Sequence, residues 1–431
     1  MLYDIARYLF YLLSLWGLVY YTFQLRFIDF FTLSFFSAVI YFIPGYSGLV
    51  INPYDTDETV PLYEKCYWVY DVVLLGNLLS VVLYDYFFQD KAIVFYIPRN
   101  EHIAFWSCAI ALIGFGMSLW RFPELYFDRE NISKGQLQEI LSHQADRWNI
   151  MWSMGAMFLA LVAFEGRYKI YLGCAIVLLL SDMLLGGNRS SSVFTLIAGL
   201  CITMARKKYV LARYFRTTTH LLKGFILLFF FMSFFVLKLL LPLIQANRLD
   251  LFSEIYPSWT DVLFHAFVVG EPAGIQANLA ETLRLGIETD FYHPVDIVSQ
   301  LIVGGDWLGM STSSHYLTQK DIFPDLEYGI AYNIWGDVWA SGGWIMLVFF
   351  VIFYHIMIVL GCLVFKKTQG FAMICTAIFF TIWAFYIHRN NLFFQIYLQK
   401  RVVLFALVVL VLSWFSAGVV GQVNSKISKP L

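Results

Sequence analysis

Runs of about twenty apolar residues recur along almost the whole chain, and each is long enough to cross the hydrocarbon core of a bilayer as a helix. Eleven such spans are predicted, at 5–23, 29–50, 66–88, 103–120, 149–165, 170–186, 191–205, 222–244, 343–365, 370–387 and 402–421. In lipid these segments must be helical, because an open strand edge would leave backbone N–H and C=O groups without partners. The expectation is an all-α polytopic integral membrane protein with about 11 (10–12) transmembrane helices, forming one membrane domain over residues 1–431. Charged residues make up only 14% of the chain, against roughly 25% in a soluble domain. Tyr and Trp gather near the ends of apolar runs, where amphipathic rings suit the interface. A formal net charge of −1 argues against nucleic-acid binding and against a polybasic surface anchor. The six cysteines lie in or beside apolar runs with no CxxC or Cys/His spacing, so disulfides and structural zinc are not expected.

One interval breaks the pattern. Residues 245–342 form a large polar loop between the eighth and ninth spans, and from Gln245 to Trp339 it holds thirteen acidic residues against Arg248, Arg284 and Lys320. Positively charged short loops set orientation. The interval RKKYVLARYFRTTTHLLK, with Arg206, Lys207, Lys208, Arg213, Arg216 and Lys223, marks the cytoplasmic side. Counting outward, Arg167 with Lys169, Lys366 with Lys367, and the tail with Lys426 and Lys429 fall on that side too. The loops at 51–65, 121–148 and 187–190 and the long polar loop then lie outside. Lys400 and Arg401 strain this arrangement, which a further segment between Tyr386 and Arg401 would relieve. Asp71, Asp85, Asp182, Lys238 and His355 sit within apolar stretches, where an ionisable group needs a partner, a cavity or a route to the boundary.

Three arginines are expected at outer helix ends. Arg189 sits in the turn of LLGGNRSSSVFTL, where glycines end one helix and serines cap the next, a setting suited to phosphate or to a lipid headgroup. Arg248 follows the eighth span in LIQANRLD, and Arg389 ends the tenth in YIHRNN. Together they would suit a diphosphate, which carries charge at two linked centres. Within the loop, His315 in STSSHYLTQ is the favoured general base, because an imidazole exchanges protons near neutral pH. His293 and His265 are weaker rivals, and Glu271, Glu327 and Asp337 are alternative carboxylate bases. The acids are scattered without DxD or EF-hand spacing, so no metal and no cofactor is expected.

The plan resembles the bacterial O-antigen polymerase and ligase superfamily, most closely the Wzy-type oligosaccharide repeat-unit polymerases. The residues that carry the resemblance are the GGNRSS turn, the arginine after the helix preceding the loop, and the loop's close, SSHYLTQ followed by YGIAYNIWGDVWASGGW. The resemblance implies a GT-C-like glycosyltransferase of the bacterial inner membrane, with the large loop periplasmic. It would polymerise undecaprenyl-diphosphate-linked glycan repeat units into O-antigen or a similar surface polysaccharide. His315 would then act as base, Arg189, Arg248 and Arg389 would hold diphosphate, and Arg284 and Tyr316 would contact donor or acceptor. Membrane lipids and a polysaccharide chain-length regulator are the implied partners. The alternatives are an O-antigen ligase, a lipid-linked oligosaccharide flippase, and an enzyme using a polyprenyl monophosphate sugar, for which Asp55, Asp57 and Glu58 are the paired acids.

Overall fold

The computed structural model describes residues 2–24, 26–88, 91–94, 96–97, 100–123, 126, 146–186, 188–207, 210, 236, 239–240, 243–244, 248–267, 271–299, 317, 319–326 and 332–427. They are mostly helical. In chain order come α1 (Leu2–Phe23), α2 (Phe30–Tyr41), α3 (Ile43–Ser47), strands β1 (Leu49–Asn52) and β2 (Asp55–Pro61), and α4 (Lys65–Phe87). A short strand β3 (Tyr96–Ile97) precedes α5 (Glu101–Arg121), α6 (Asp146–Gly166), α7 (Lys169–Leu184) and α8 (Ser190–Lys207). The polar interval contributes α9 (Phe252–Ile255), α10 (Trp259–Phe267), α11 (Glu271–Leu285), α12 (His293–Ser299) and α13 (Gln319–Ile322). The chain closes with α14 (Ile334–Phe365), strand β4 (Gln369–Gly370), α15 (Phe371–Phe385) and α16 (Leu392–Ile427).

Among the described residues, five helices are long and apolar enough to cross a membrane: Lys65–Phe87, Glu101–Arg121, Arg147–Gly166, Ile334–Phe365 and Leu392–Ala417. The first of them separates an exposed apolar face from a buried one. On α4 the apolar side chains Leu75, Leu79, Val82 and Leu83 are exposed, while Asp71 and Asn77 point inward among Leu74, Leu78 and Val81. Helical spacing of three and four separates the two faces.

Every predicted span coincides with a helix except 222–244, of which only residues 236, 239–240 and 243–244 are described. Three spans differ in shape. The span 29–50 is broken after Tyr41, because Pro44 has no N–H to continue the ladder, and the chain leaves α3 for a hairpin with β2. The span 343–365 is the second part of a longer helix kinked at Gly342 and Gly343, where Gly343 has φ 60°. The last helix begins at Leu392 rather than 402, so Lys400 and Arg401 lie inside it.

The chain divides into two compact units. The first comprises Met1–Ala92, Met204–Leu363 and Ile382–Tyr397. Its spine is α4, flanked by α1 and α2. The Tyr21 hydroxyl donates to Asn77 Oδ1 at 2.6 Å, Asn77 Nδ2 donates to Ser34 Oγ at 3.1 Å, and Ser34 Oγ meets the Tyr354 hydroxyl at 2.7 Å. Such a thread gives the buried polar groups partners inside an apolar bundle. The second unit comprises Ile93–Thr203, Val364–Thr381 and Leu398–Leu431. There α5 and α6 approach closely through small residues: a Cβ at Gly114 would stand 2.4 Å from the Trp152 backbone nitrogen. The Trp152 indole in turn donates to the Leu178 carbonyl at 3.0 Å.

Candidate functional site

The polar interval does not simply ride on the surface. Helix α11 is buried nearly all round: Ala273, Ile275, Ala277, Leu279 and Leu283 are enclosed, and Gln276, Asn278 and Thr282 are also fully buried. It packs against α2, α3, α4 and β1 within the first unit. Gly286, at φ 63°, terminates it. A polar helix buried in this way carries its hydrogen-bonding side chains into the interior, where each needs a partner.

Those partners form a chain at one end of the first unit. The Tyr70 hydroxyl donates to Gln276 Oε1 at 2.8 Å, and Asn333 Nδ2 reaches the same oxygen at 3.3 Å. Asn333 Oδ1 accepts from the backbone N–H groups of Trp335 at 2.9 Å and Gly336 at 3.3 Å, capping α14. The Trp335 indole donates to His388 Nδ1 at 2.9 Å. That bond fixes the tautomer, so the neutral His388 ring carries its proton on Nε2. His388 is fully buried between Tyr41, Phe42 and Trp335. Burial, reinforced by His355, holds its pKa down to about 3.

Two further contacts tie the interval to the turn between α15 and α16. Asp337, in the first turn of α14, is 1% exposed and accepts from the Leu392 backbone N–H at 2.8 Å. His293, at the start of α12, places Nε2 3.7 Å from the other Asp337 oxygen. Arg389 forms an ion pair with Glu271, the first residue of α11, and its guanidinium lies 5.0 Å from the Tyr386 ring centroid.

The expected site residues therefore separate. Arg389, Asp337, Glu271 and His293 come together around α11, α14 and the 387–391 turn. Arg284 is on the surface, clamped by both carboxylate oxygens of Glu281 at 2.8 and 2.5 Å, a hydrogen bond that raises its pKa. Arg248 is exposed at the start of a 3₁₀ turn, 3.6 Å from Asp250. Arg189 belongs to the second unit. His315, Tyr316 and Glu327 lie outside the described residues. Sequence reasoning missed Trp335, Gln276, Asn333 and the structural part of His388, although YIHRNN had drawn attention to Arg389's neighbours.

The Arg189 turn has its own organiser. Asp182, fully buried near the end of α7, accepts from Ser191 Oγ at 2.7 Å and Asn188 Nδ2 at 3.2 Å, while its carbonyl accepts from the Asn188 N–H at 3.1 Å. Asp182→Ala strips two acceptors from a tight turn and is expected to cost about 2 kcal/mol. The check is thermal unfolding followed by a thiol-reactive dye, since Cys66, Cys201 and Cys362 are buried. An unchanged midpoint for that variant would rule out Asp182 as the organiser.

No protein-family model, no curated protein and no solved structure matches this chain. The resemblance to the polymerases rests on the sequence motifs alone.

Proposed function

We propose that this protein is a membrane glycosyltransferase that polymerises undecaprenyl-diphosphate-linked oligosaccharide repeat units into O-antigen or a similar surface polysaccharide. On this reading it sits in a bacterial inner membrane with the long loop periplasmic. The observation that carries the reading is the position of Arg389. The cation is held in a turn between two apolar helices, is 34% exposed, and is paired with the loop helix α11. A guanidinium fixed in a turn between apolar helices, beside the polar interval, suits a lipid-linked diphosphate.

In the proposed reaction a hydroxyl of the acceptor repeat unit attacks the anomeric carbon of the donor glycan. The new C–O bond forms as the bond to the diphosphate oxygen breaks, and undecaprenyl diphosphate leaves with the electron pair. The hydroxyl proton passes to a base, for which His315 remains the choice, with Glu327 and Asp337 as the alternatives. Arg389 offsets the charge growing on the departing diphosphate, a role in which preorganised cations lower barriers by several kcal/mol. Arg248 and Arg189 are kept as further phosphate-binding residues, and Arg284 and Tyr316 as contacts to sugar.

The test is complementation of a strain lacking this gene, with surface glycolipid displayed on a gel. Deletion is expected to leave lipid bearing one repeat unit. Wild type restores the ladder, whereas Arg389→Ala and His315→Ala, expressed at equal levels in the membrane, do not, with residual polymer reduced at least roughly 100-fold. Loss of the single-repeat band on deletion sinks the polymerase reading and favours a flippase, ligase or earlier transferase.

A further inference from the structure

We propose that Glu271 is an internal stand-in for the phosphate ligand, occupying Arg389 until a diphosphate displaces it. The inference rests on the glycosyltransferase reading, which assigns Arg389 to the diphosphate, and adds a competitive latch within the chain.

Three observations carry it. First, the ion pair is reachable: the Arg389 side chain is 34% exposed and that of Glu271 is 20% exposed. Both side chains keep some accessible surface, so an anion can approach the pair. Second, carboxylate and phosphate present similar pairs of oxygens to a guanidinium, so both compete for the same fork of donors. A diphosphate carries more charge than one carboxylate and wins that exchange, whereas a weak monoanion does not. Third, displacement leaves neither partner stranded. Glu271 is the first residue of α11, where the helix N-terminus favours a carboxylate without help from Arg389. Arg389 keeps its position over Tyr386.

The latch joins two parts of the fold that the ligand would need to address. Glu271 belongs to the polar interval and Arg389 to the turn between apolar helices α15 and α16. Exchange of the carboxylate for a diphosphate uncouples the N-terminus of α11 from that turn. In an empty site the cation is thus occupied by the protein's own anion, and an occupied site frees the loop helix at its start.

The test uses the full chain in phosphatidylcholine nanodiscs with farnesyl diphosphate as probe, titrated by calorimetry. Glu271→Gln is expected to tighten Kd about tenfold, the effect of removing a partly exposed ionic competitor. Arg389→Ala weakens it at least tenfold, and the double variant binds no more tightly than Arg389→Ala alone. Glu271→Asp, which keeps the charge on a shorter stem, gives an intermediate Kd and serves if Glu271→Gln proves unstable. If neither Glu271 variant gains affinity while Arg389→Ala loses it, the latch is overturned and the diphosphate role of Arg389 stands. If Arg389→Ala binds as wild type does, both the latch and the assignment of Arg389 fall.

Discussion

Arg26→Met lowers the stability of the folded chain by about 3 kcal/mol, because it removes the cation from a largely enclosed set of charges. Arg26 is 7% exposed in the link between α1 and α2. Its guanidinium stands 2.6 Å from Asp29 and 3.3 Å from Asp85, and the Tyr20 hydroxyl donates to Asp85 at 2.7 Å. Asp29 also caps α2, accepting from the Thr32 N–H at 3.1 Å. One arginine therefore neutralises two carboxylates from different parts of the chain and packs over the Tyr21 and Phe31 rings, 5.3 and 5.8 Å from their centroids. Methionine keeps much of the packing and leaves both acids without their cation. The thiol-dye unfolding midpoint should fall by several degrees. Adding Asp29→Asn and Asp85→Asn should recover most of the loss, since a wholly neutral cluster no longer holds uncompensated charge. A midpoint equal to wild type for Arg26→Met alone would show that the cluster is hydrated enough to contribute nothing.

The difference between what the sequence reveals and what it conceals is visible in this cluster. Asp85 reads as a costly acid near the end of an apolar run, yet its partner lies beyond α1, at a distance along the chain that no local pattern encodes. The same holds for Glu271 and Arg389: the first was legible as an alternative base within the polar loop and the second as a cation at the end of an apolar span, but their pairing depends on α11 folding back against α2, α3 and α4. Helices were legible because lipid leaves an apolar run no other backbone solution. Their breaks have local causes, Pro44 after α2 and the Gly342–Gly343 pair in α14, but the predicted spans 29–50 and 343–365 read neither as a break. The early start of α16 had such a cause in HRNN: Asn391 Oδ1 accepts from the Phe394 N–H at 2.8 Å, an N-cap that could have been read directly. Apolar content alone placed that start too late. The buried side of α11 was not legible, because EPAGIQANLAETLRL mixes polar and apolar residues on every face, and the partners of its Gln276 oxygen, Tyr70 and Asn333, lie far away in sequence.

Asp337 is where sequence and structure make the sharpest test. The sequence offers it as an alternative base. Its carboxylate, 1% exposed, holds the Leu392 N–H at 2.8 Å and faces His293 at 3.7 Å. An acid so enclosed, with one oxygen already committed to the start of α16, is suited to positioning that helix and the adjoining Arg389 turn. Asp337→Ala is expected to cost about 3 kcal/mol, combining a lost acceptor at a helix start with a small cavity. Asp337→Asn separates the two roles. The amide oxygen still accepts from Leu392, but the charge that a general base requires is gone. On the proposed polymerase reading, if Asp337 positions the helix, the Asn variant keeps a near-wild-type unfolding midpoint and most of the polymer ladder, while the Ala variant loses both. If Asp337 is the base, the Asn variant is as stable as wild type and makes no ladder, with activity down roughly 100-fold or more. Measuring unfolding and polymer length on the same two proteins decides between a carboxylate that holds the site together and one that takes the proton.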